Sequence, residues 1–295
     1  SGDSNFSNPK FGDKENTIFY IKTNRTIQDK SKSKKTLSSI HMQAGRSVNK
    51  VFEIDGGISN YSLSADGKFI YVTTSEWSRE FKNTENKDSE PMYYENLPFR
   101  FDTRGIIYNK RGHVYKINLG TYKFNKIVDG DKNQIISIGS LVENDKGVVF
   151  SYEKYNSKGT MLEEKVGSLE TKKINEIHSK GSLGNLFYYE GDLHAVGLRN
   201  RFDWPTNTSV LKLSSNGKVT FRHRTFDRNV VKAEVNNSIL YFLYEDSGKT
   251  LLRDGTNNID LIDAEVTIKD FAFNNDKTYV IANSFSKPDE VFELN

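Results

Sequence analysis

Short apolar runs entered through polar turns recur along this chain, and no stretch carries the three-to-four spacing of a long amphipathic helix. Asp13-Lys14-Glu15-Asn16 leads into Thr17–Ile21, and Ser64-Ala65-Asp66-Gly67-Lys68 leads into Phe69–Val72. The same order returns with Glu143–Gly147 before Val148–Tyr152, and with Glu190-Gly191-Asp192 before Leu193–Val196. It returns again with Asn236–Ser238 before Ile239–Phe242, and with Asn274–Lys277 before Thr278–Ile281. Asp, Asn and Gly tolerate positive φ and close tight hairpins. The runs that follow them are continuously apolar, which predicts strands buried on both faces. A partly exposed, alternating strand comes next in His113–Ile117, Ser209–Leu213 and Glu290–Leu294, and Asn216-Gly217 turns the second of these into Val219–Phe221.

Spacings of roughly 40 to 50 residues between these strands match the period of a propeller blade. Six units begin near residues 8, 56, 129, 181, 229 and 265. The pattern predicts an all-β fold, a β-propeller of six or seven four-stranded blades, with the last blade incomplete after its third strand. Residues 1–295 are read as one propeller domain. A long gap inside the second unit, residues 76–110, reads as an insertion in that blade rather than a degenerate seventh blade. It is polar, holds Pro91 and Pro98, and lacks a second turn-and-strand signature. A β-sandwich also repeats strands regularly, but the four-strand grouping and the length favour the propeller.

Composition narrows the function. The 295 residues carry 42 basic and 39 acidic side chains, a net charge of +3, with mean hydropathy −0.66. Both signs are interspersed, which excludes the concentrated basic stripe of a nucleic-acid binder. The run Lys30, Lys32, Lys34, Lys35 reads as a solvated hairpin tip. Cysteine is absent, so disulfides, thiolate nucleophiles and cysteine zinc sites are excluded. No apolar run approaches the length of a membrane span, and a cytoplasmic location without a membrane partner is expected.

Catalytic patterns are missing. A nucleophile elbow needs Gly-x-Ser-x-Gly, and Gly57-Ile58-Ser59 and Gly139-Ser140 lack the flanking glycine. His41, His113, His178, His194 and His223 show no metal-pair spacing. Asp129-Gly130-Asp131 lacks the remaining ligands of a calcium loop. No cofactor is expected. A propeller enzyme of the lactonase kind needs a calcium ring of Glu, Asn and Asp lining its tunnel, for which Asn60, Asn185 and Asp270 are the side chains to weigh. No pattern demands it.

Three segments carry a family resemblance. Ser64–Val72 resembles the turn-strand "SPDGK-IAF" of TolB-like and peptidase propellers. Leu97–Tyr108 followed by Arg111–Tyr115 resembles the "Y-[RK]-x-D-G-x-G-Y…R-x-H-[IL]-[FY]" segment of acylaminoacyl-peptidase-type propellers, with Thr103 where Gly is usual and Ile107 where an aromatic is common. Ser286–Phe292 resembles the "S-x-P-x-E-[LV]-[FY]" strand that precedes the catalytic domain of these peptidases.

The resemblance is to the non-catalytic N-terminal propeller of the prolyl-oligopeptidase-family serine peptidases. It implies a partner α/β-hydrolase domain in the same polypeptide, absent from this chain, that carries the Ser-Asp-His triad. The propeller would then gate the passage of short peptides and orient them; homo-oligomerisation is left open. The expected substrate-binding residues are Arg100, Asp102 and Arg104, with Trp77 and Tyr94 beside them, because aromatics interleaved with Arg suit peptide recognition. Internal pairing of Arg100 with Asp102 is the plainer alternative. The cluster Arg199–Pro205 reads as a rim loop. The rival function is a free-standing TolB- or WD-like scaffold for protein binding, whose ring Ser4–Ser7 would close.

Overall fold

The computed structural model describes the chain apart from residues 1–3, 13–16, 28–33, 80–99, 102–104, 107–109, 145–146, 171–172, 179, 201–205, 215–216, 223–225, 263–265, 275–276 and 295, and the side chains of 25–27, 34–35, 100–101, 105–106 and 144. It groups into two compact units, Ser1–Glu176 and Ile177–Asn295.

In the first unit, β1 (Ser4–Phe11), β2 (Thr17–Ile27), β3 (Lys34–Ala44) and β4 (Ser47–Asp55) form the first sheet in sequence order. The second sheet holds β5 (Gly57–Leu63) and β6 (Phe69–Trp77). After the short ladder β7 (Arg100–Phe101) and β8 (Gly105–Ile106), it resumes with β9 (Lys110–Asn118) and β10 (Phe124–Val128). A single helical turn, α1 (Gly130–Asn133), leads to the third sheet: β11 (Ile135–Asn144), β12 (Gly147–Tyr155), β13 (Leu162–Glu170) and β14 (Lys173–His178).

The second unit continues the pattern. Its fourth sheet is β15 (Ser182–Tyr189), β16 (Asp192–Leu198), β17 (Ser209–Leu213) and β18 (Val219–Phe221). The fifth is β19 (Asn229–Asn236), β20 (Ile239–Asp246), β21 (Lys249–Asp254) and β22 (Ile259–Asp260). The sixth has three strands among the described residues: β23 (Thr267–Asn274), β24 (Lys277–Ser284) and β25 (Lys287–Leu294). The six expected units are these six sheets, and each expected turn-and-strand opens the second strand of one of them. Ser4–Ser7 belong to β1 and pair with β2 of the first sheet, Ser4 opposite Asn24 and Ser7 opposite Ile21. They are therefore committed to the first sheet. Of the basic run, Lys34 and Lys35 open β3, opposite Ile27 and Thr26, while Lys30 and Lys32 lie outside the described residues.

The turn at residues 64–68 shows why the sequence folds this way locally. Ser64 Oγ donates to Asp66 Oδ1 at 2.7 Å, and the Lys68 N–H donates to the same oxygen at 3.0 Å. The Phe69 N–H donates to Ser64 Oγ at 2.9 Å, and Gly67 takes φ +65°. These bonds, that from Ser64 first, hold the Asp66 carboxyl down to about 2. The Ser and Asp thus satisfy backbone donors that the reversal would otherwise leave open.

Within the first unit, sheets one and two share a core around Ile40, Phe52, Tyr61 and Ile70, and sheets two and three share one around Val114, Ile135 and Phe150. In the second unit, Val210, Leu240 and Phe242 join sheets four and five, and Leu243, Leu252, Ile268 and Phe271 join five and six. The expectation of strands buried on both faces holds for β6, β12 and β16, which have five consecutive buried residues each. It fails for β2 and β24, where burial alternates and Ile18 and Ile281 are 36% and 38% exposed.

One feature recurs in each of these six sheets. The first strand, β1, β5, β11, β15, β19 or β23, breaks register with the second at a bulge. A bulge bends the strand and frees a residue from the ladder.

Candidate functional site

The second sheet sets where the inserted segment leaves and returns. β6 and β9 pair from Phe69 opposite Asn118 up to Trp77 opposite Lys110. The excursion therefore begins and ends at one point of one sheet. Of the five residues expected to bind substrate, Trp77 is at that root. The residue is 40% exposed, and Lys110 Nζ stands 5.4 Å from its ring centroid, a cation–π contact. The Arg100 backbone lies in β7, paired with Ile106 of β8. Asp102, Arg104 and Tyr94 lie outside the described residues.

Sequence reasoning missed the polar cluster directly beneath this root. Glu76, 5% exposed, accepts hydrogen bonds at Oε1 from the Tyr115 hydroxyl at 2.8 Å and the Thr74 hydroxyl at 2.9 Å. His113, 1% exposed and opposite Thr74, presents Nε2 at 3.9 Å from Glu76 Oε1. On its other side His113 Nδ1 accepts the Gly130 N–H at 3.0 Å, which fixes the proton on Nε2. Asp129 caps α1, its Oδ1 accepting the Asp131 N–H at 3.1 Å. Its Oδ2 accepts from the Arg79 guanidinium at 2.7 Å, and Arg79 donates its backbone N–H to Asp131 Oδ1 at 3.2 Å.

Burial lowers the His113 imidazole below its ordinary value, against the pull of Glu76, Asp131 and Asp129, with Lys126 adding to the lowering. Burial works to raise the Glu76 carboxyl, but His113, Tyr115, Lys126 and Thr74 outweigh it and Glu76 titrates below the usual range. Burial and then Glu76 push the Tyr115 phenol far up. The cluster is an ionised carboxylate held by two hydroxyls beside a neutral imidazole. No polar atom of His113 faces solvent, so it positions backbone and does not act on a ligand. The cue in the sequence was Arg111-Gly112-His113 opposite Thr74–Glu76, visible only once β6 and β9 are known to pair across the insertion.

The three side chains weighed for a calcium ring each hold backbone or a neighbouring sheet. Asn60 Oδ1 accepts the Tyr61 N–H at 2.8 Å and Asn8 Nδ2 at 3.0 Å. Asn185 Oδ1 accepts the Ala233 N–H at 2.5 Å. Asp270 Oδ1 accepts the Phe271 N–H at 2.9 Å and Lys232 Nζ at 2.7 Å. All three sit at the recurrent bulges or beside them, and each donor from another sheet belongs to an adjacent one in the same unit. They staple sheets. No group of three or more His, Asp or Glu side chains among the described residues has the arrangement of a metal site. No helix of the described residues is long and apolar enough to cross a membrane.

In the second unit an open cleft of about 570 Å³ lies between the loop before β19 and the β20–β21 turn, lined by Asp227, Arg228, Asn229, Asp246 and Lys249 among others. Its groups largely pair with one another: Arg228 Nε with Asp246 at 2.9 Å, Asn229 with Glu245 at 2.6 Å, Asn207 with Asp227 at 3.1 Å.

Among the described residues, six sheets of three or four strands, each an antiparallel meander with a bulged first strand, define the class: an all-β propeller. Comparison with solved structures bears this out. The acylaminoacyl peptidase of Pyrococcus horikoshii superposes with a TM-score of 0.68 at 13% identity, covering 98% of this chain and 51% of that one. The β-propeller domain of the trilobed protease from Pyrococcus furiosus matches at a TM-score of 0.51 and 12% identity over 99% of this chain and 95% of that one. An oligogalacturonate lyase in complex with manganese matches at a TM-score of 0.61 and 10% identity, over 97% and 75%. These likenesses are of fold. The chain spans about half the length of the acylaminoacyl peptidases it matches. No protein-family profile and no curated protein matches the sequence.

Proposed function

We propose that this chain is the non-catalytic propeller domain of an acylaminoacyl-peptidase-like serine peptidase. In this reading it gates short peptides on their way to an α/β-hydrolase active site in the same polypeptide and helps orient them. The observation that carries the reading is the superposition on half of an acylaminoacyl peptidase over 98% of this chain. The motif resemblances at residues 97–115 and 286–292 point the same way. Because a lyase shares the fold, the fold does not choose the chemistry, and the resemblance of those segments is what favours a peptidase. Gating is steric: a narrow opening admits an extended peptide and excludes a folded protein. Arg100, Asp102 and Arg104, with Trp77 and Tyr94, are the proposed substrate contacts, an Arg fork holding a peptide carbonyl or carboxylate.

The coding sequence beyond Asn295 gives the first test. A frame that continues into a Gly-x-Ser-x-Gly elbow supports the peptidase reading, and a stop codon favours a free-standing binding scaffold. In the full-length protein, Arg100→Ala should lower kcat/KM for peptides by about tenfold or more, the loss of one charged hydrogen bond. An unchanged kcat/KM removes Arg100 from the site.

A further inference from the structure

We propose that His113 and the clamp of Arg79 on Asp129 and Asp131 form an acid-released latch, tying the end of β6 to the α1 turn. The two ends of this contact lie about fifty residues apart in sequence, and three features join them. Arg79 binds the turn through its guanidinium and its backbone N–H. Asp129 serves the clamp with one oxygen and caps the turn with the other. Gly130, between the two acids, donates its N–H to buried His113 at 3.0 Å.

Protonation of His113 places a hydrogen on Nδ1, where the Gly130 N–H already points. Two donors then face each other across the former bond, and neither has a partner. An acceptor close by is Asp129 Oδ1, 3.6 Å away, and it already caps the Asp131 N–H. Imidazolium therefore draws Asp129 from the cap and from Arg79 together. The turn has no slack to absorb this in place: a Cβ on Gly130 would stand 2.1 Å from the Gly112 carbonyl oxygen, so the two backbones already touch. The charged and titratable groups facing His113 are Glu76 from β6, Tyr115 from β9, Lys126 from β10, Asp129 and Asp131 from the turn, and Arg79 beyond them. Glu76 stays in place, held by Tyr115 and Thr74, so the change falls on the turn. The latch deepens the proposed role of the insertion, since Arg79 is where the chain leaves the second sheet. It rests on that reading for its consequence only.

The test is amide hydrogen exchange on the full chain, corrected for intrinsic rates, at pH 7.5 and pH 5. Protection of residues 129–133 should fall about tenfold or more at the lower pH, the loss of one buried hydrogen bond, while β12 keeps its protection. The midpoint should coincide with His113 protonation followed by NMR. His113→Asn supplies an uncharged acceptor in the Nδ1 position and should hold the turn at both pH values. Arg79→Ala, at a largely exposed side chain, should loosen it at both. Equal wild-type protection at the two pH values, a midpoint apart from that of His113, or an acid loss that persists in His113→Asn overturns the proposal. No substrate is used, so failure of the gating reading appears in Arg100→Ala turnover and failure of the latch appears here.

Discussion

Asn185 offers a sharp test of the stapled bulge. It sits in β15 at the register break between Gly184 and Phe187, with φ +41°. Its Oδ1 accepts the N–H of Ala233, a fully buried residue of β19. Asn185→Ala removes the acceptor and leaves that N–H unpaired, at a cost of about 1–3 kcal/mol. It also puts a Cβ residue without Asn's local hydrogen bonding into the left-handed region, at about 1–2 kcal/mol. The sum, allowing for what Asn itself loses there, is about 2–4 kcal/mol. Asn185→Gly removes the acceptor but tolerates the φ, so it should cost about 1–3 kcal/mol. Asn185→Asp keeps the acceptor and should stay within about 1 kcal/mol of wild type. Urea unfolding followed by far-ultraviolet circular dichroism ranks the three. If Ala and Gly are equally destabilised, the backbone part of the reasoning is wrong. If Ala lies within about 0.5 kcal/mol of wild type, the staple itself is refuted.

Two further outcomes follow from packing and protonation. A Cβ on Gly197 would lie 1.9 Å from the Ser182 carbonyl oxygen, whereas one on Gly184 meets nothing within 4 Å. Gly197→Ala should therefore cost at least about 3 kcal/mol and Gly184→Ala less than about 0.5 kcal/mol, as read by thermal melting; similar Tm values for the two would refute this. His194, 1% exposed, stacks on Phe187 at 5.6 Å and donates Nδ1–H to the Asp192 carbonyl at 3.0 Å, while its Nε2 is buried without a hydrogen-bond partner. Burial holds its pKa below 6.5, so only the unfolded chain takes up the proton as pH falls below that value. Stability from His194 is present at neutral pH and is lost between about 6.5 and its lower folded value. The urea midpoint should drop between pH 7.5 and pH 5, and His194→Gln should flatten the drop; an unaltered slope would refute the assignment.

The repeat was legible because it is written in local chemistry. Asp66, Gly67, Gly191 and Asn237 each close a turn whose bonds lie within a few residues, and positive φ at the last three follows from residue type. Strand starts near 56, 181, 229 and 265 are accordingly realised at Gly57, Ser182, Asn229 and Thr267. What depended on strand pairing was not legible. Glu76 and His113 are 37 positions apart, and only the β6–β9 register brings Thr74 opposite His113. Continuous apolarity likewise did not tell covered side chains from exposed ones: Ile18 and Ile281 are exposed in strands that look like β6 in sequence.

The same residue types explain why sites were harder to read than sheets. Asn60, Asn185, Asp270, Asp129 and Asp131 are what a cation ring or loop would use, because their oxygens accept without needing a proton. A buried bulge needs the same property. Its freed backbone N–H, or the donor of a neighbouring sheet, must find an acceptor or cost stability. One oxygen cannot be given fully to both. Asp270 Oδ1 already takes an amide and an ammonium, and Asp129 divides its two oxygens between the α1 cap and Arg79. Composition and spacing cannot separate a ligand from a staple, since the discriminating fact is which donors lie within 3 Å. In this chain those donors are its own amides, Lys232 and Arg79, so the acidic and amide side chains at the bulges and the α1 turn build the scaffold. Recognition in the proposed function is left to the aromatic and arginine residues of the insertion.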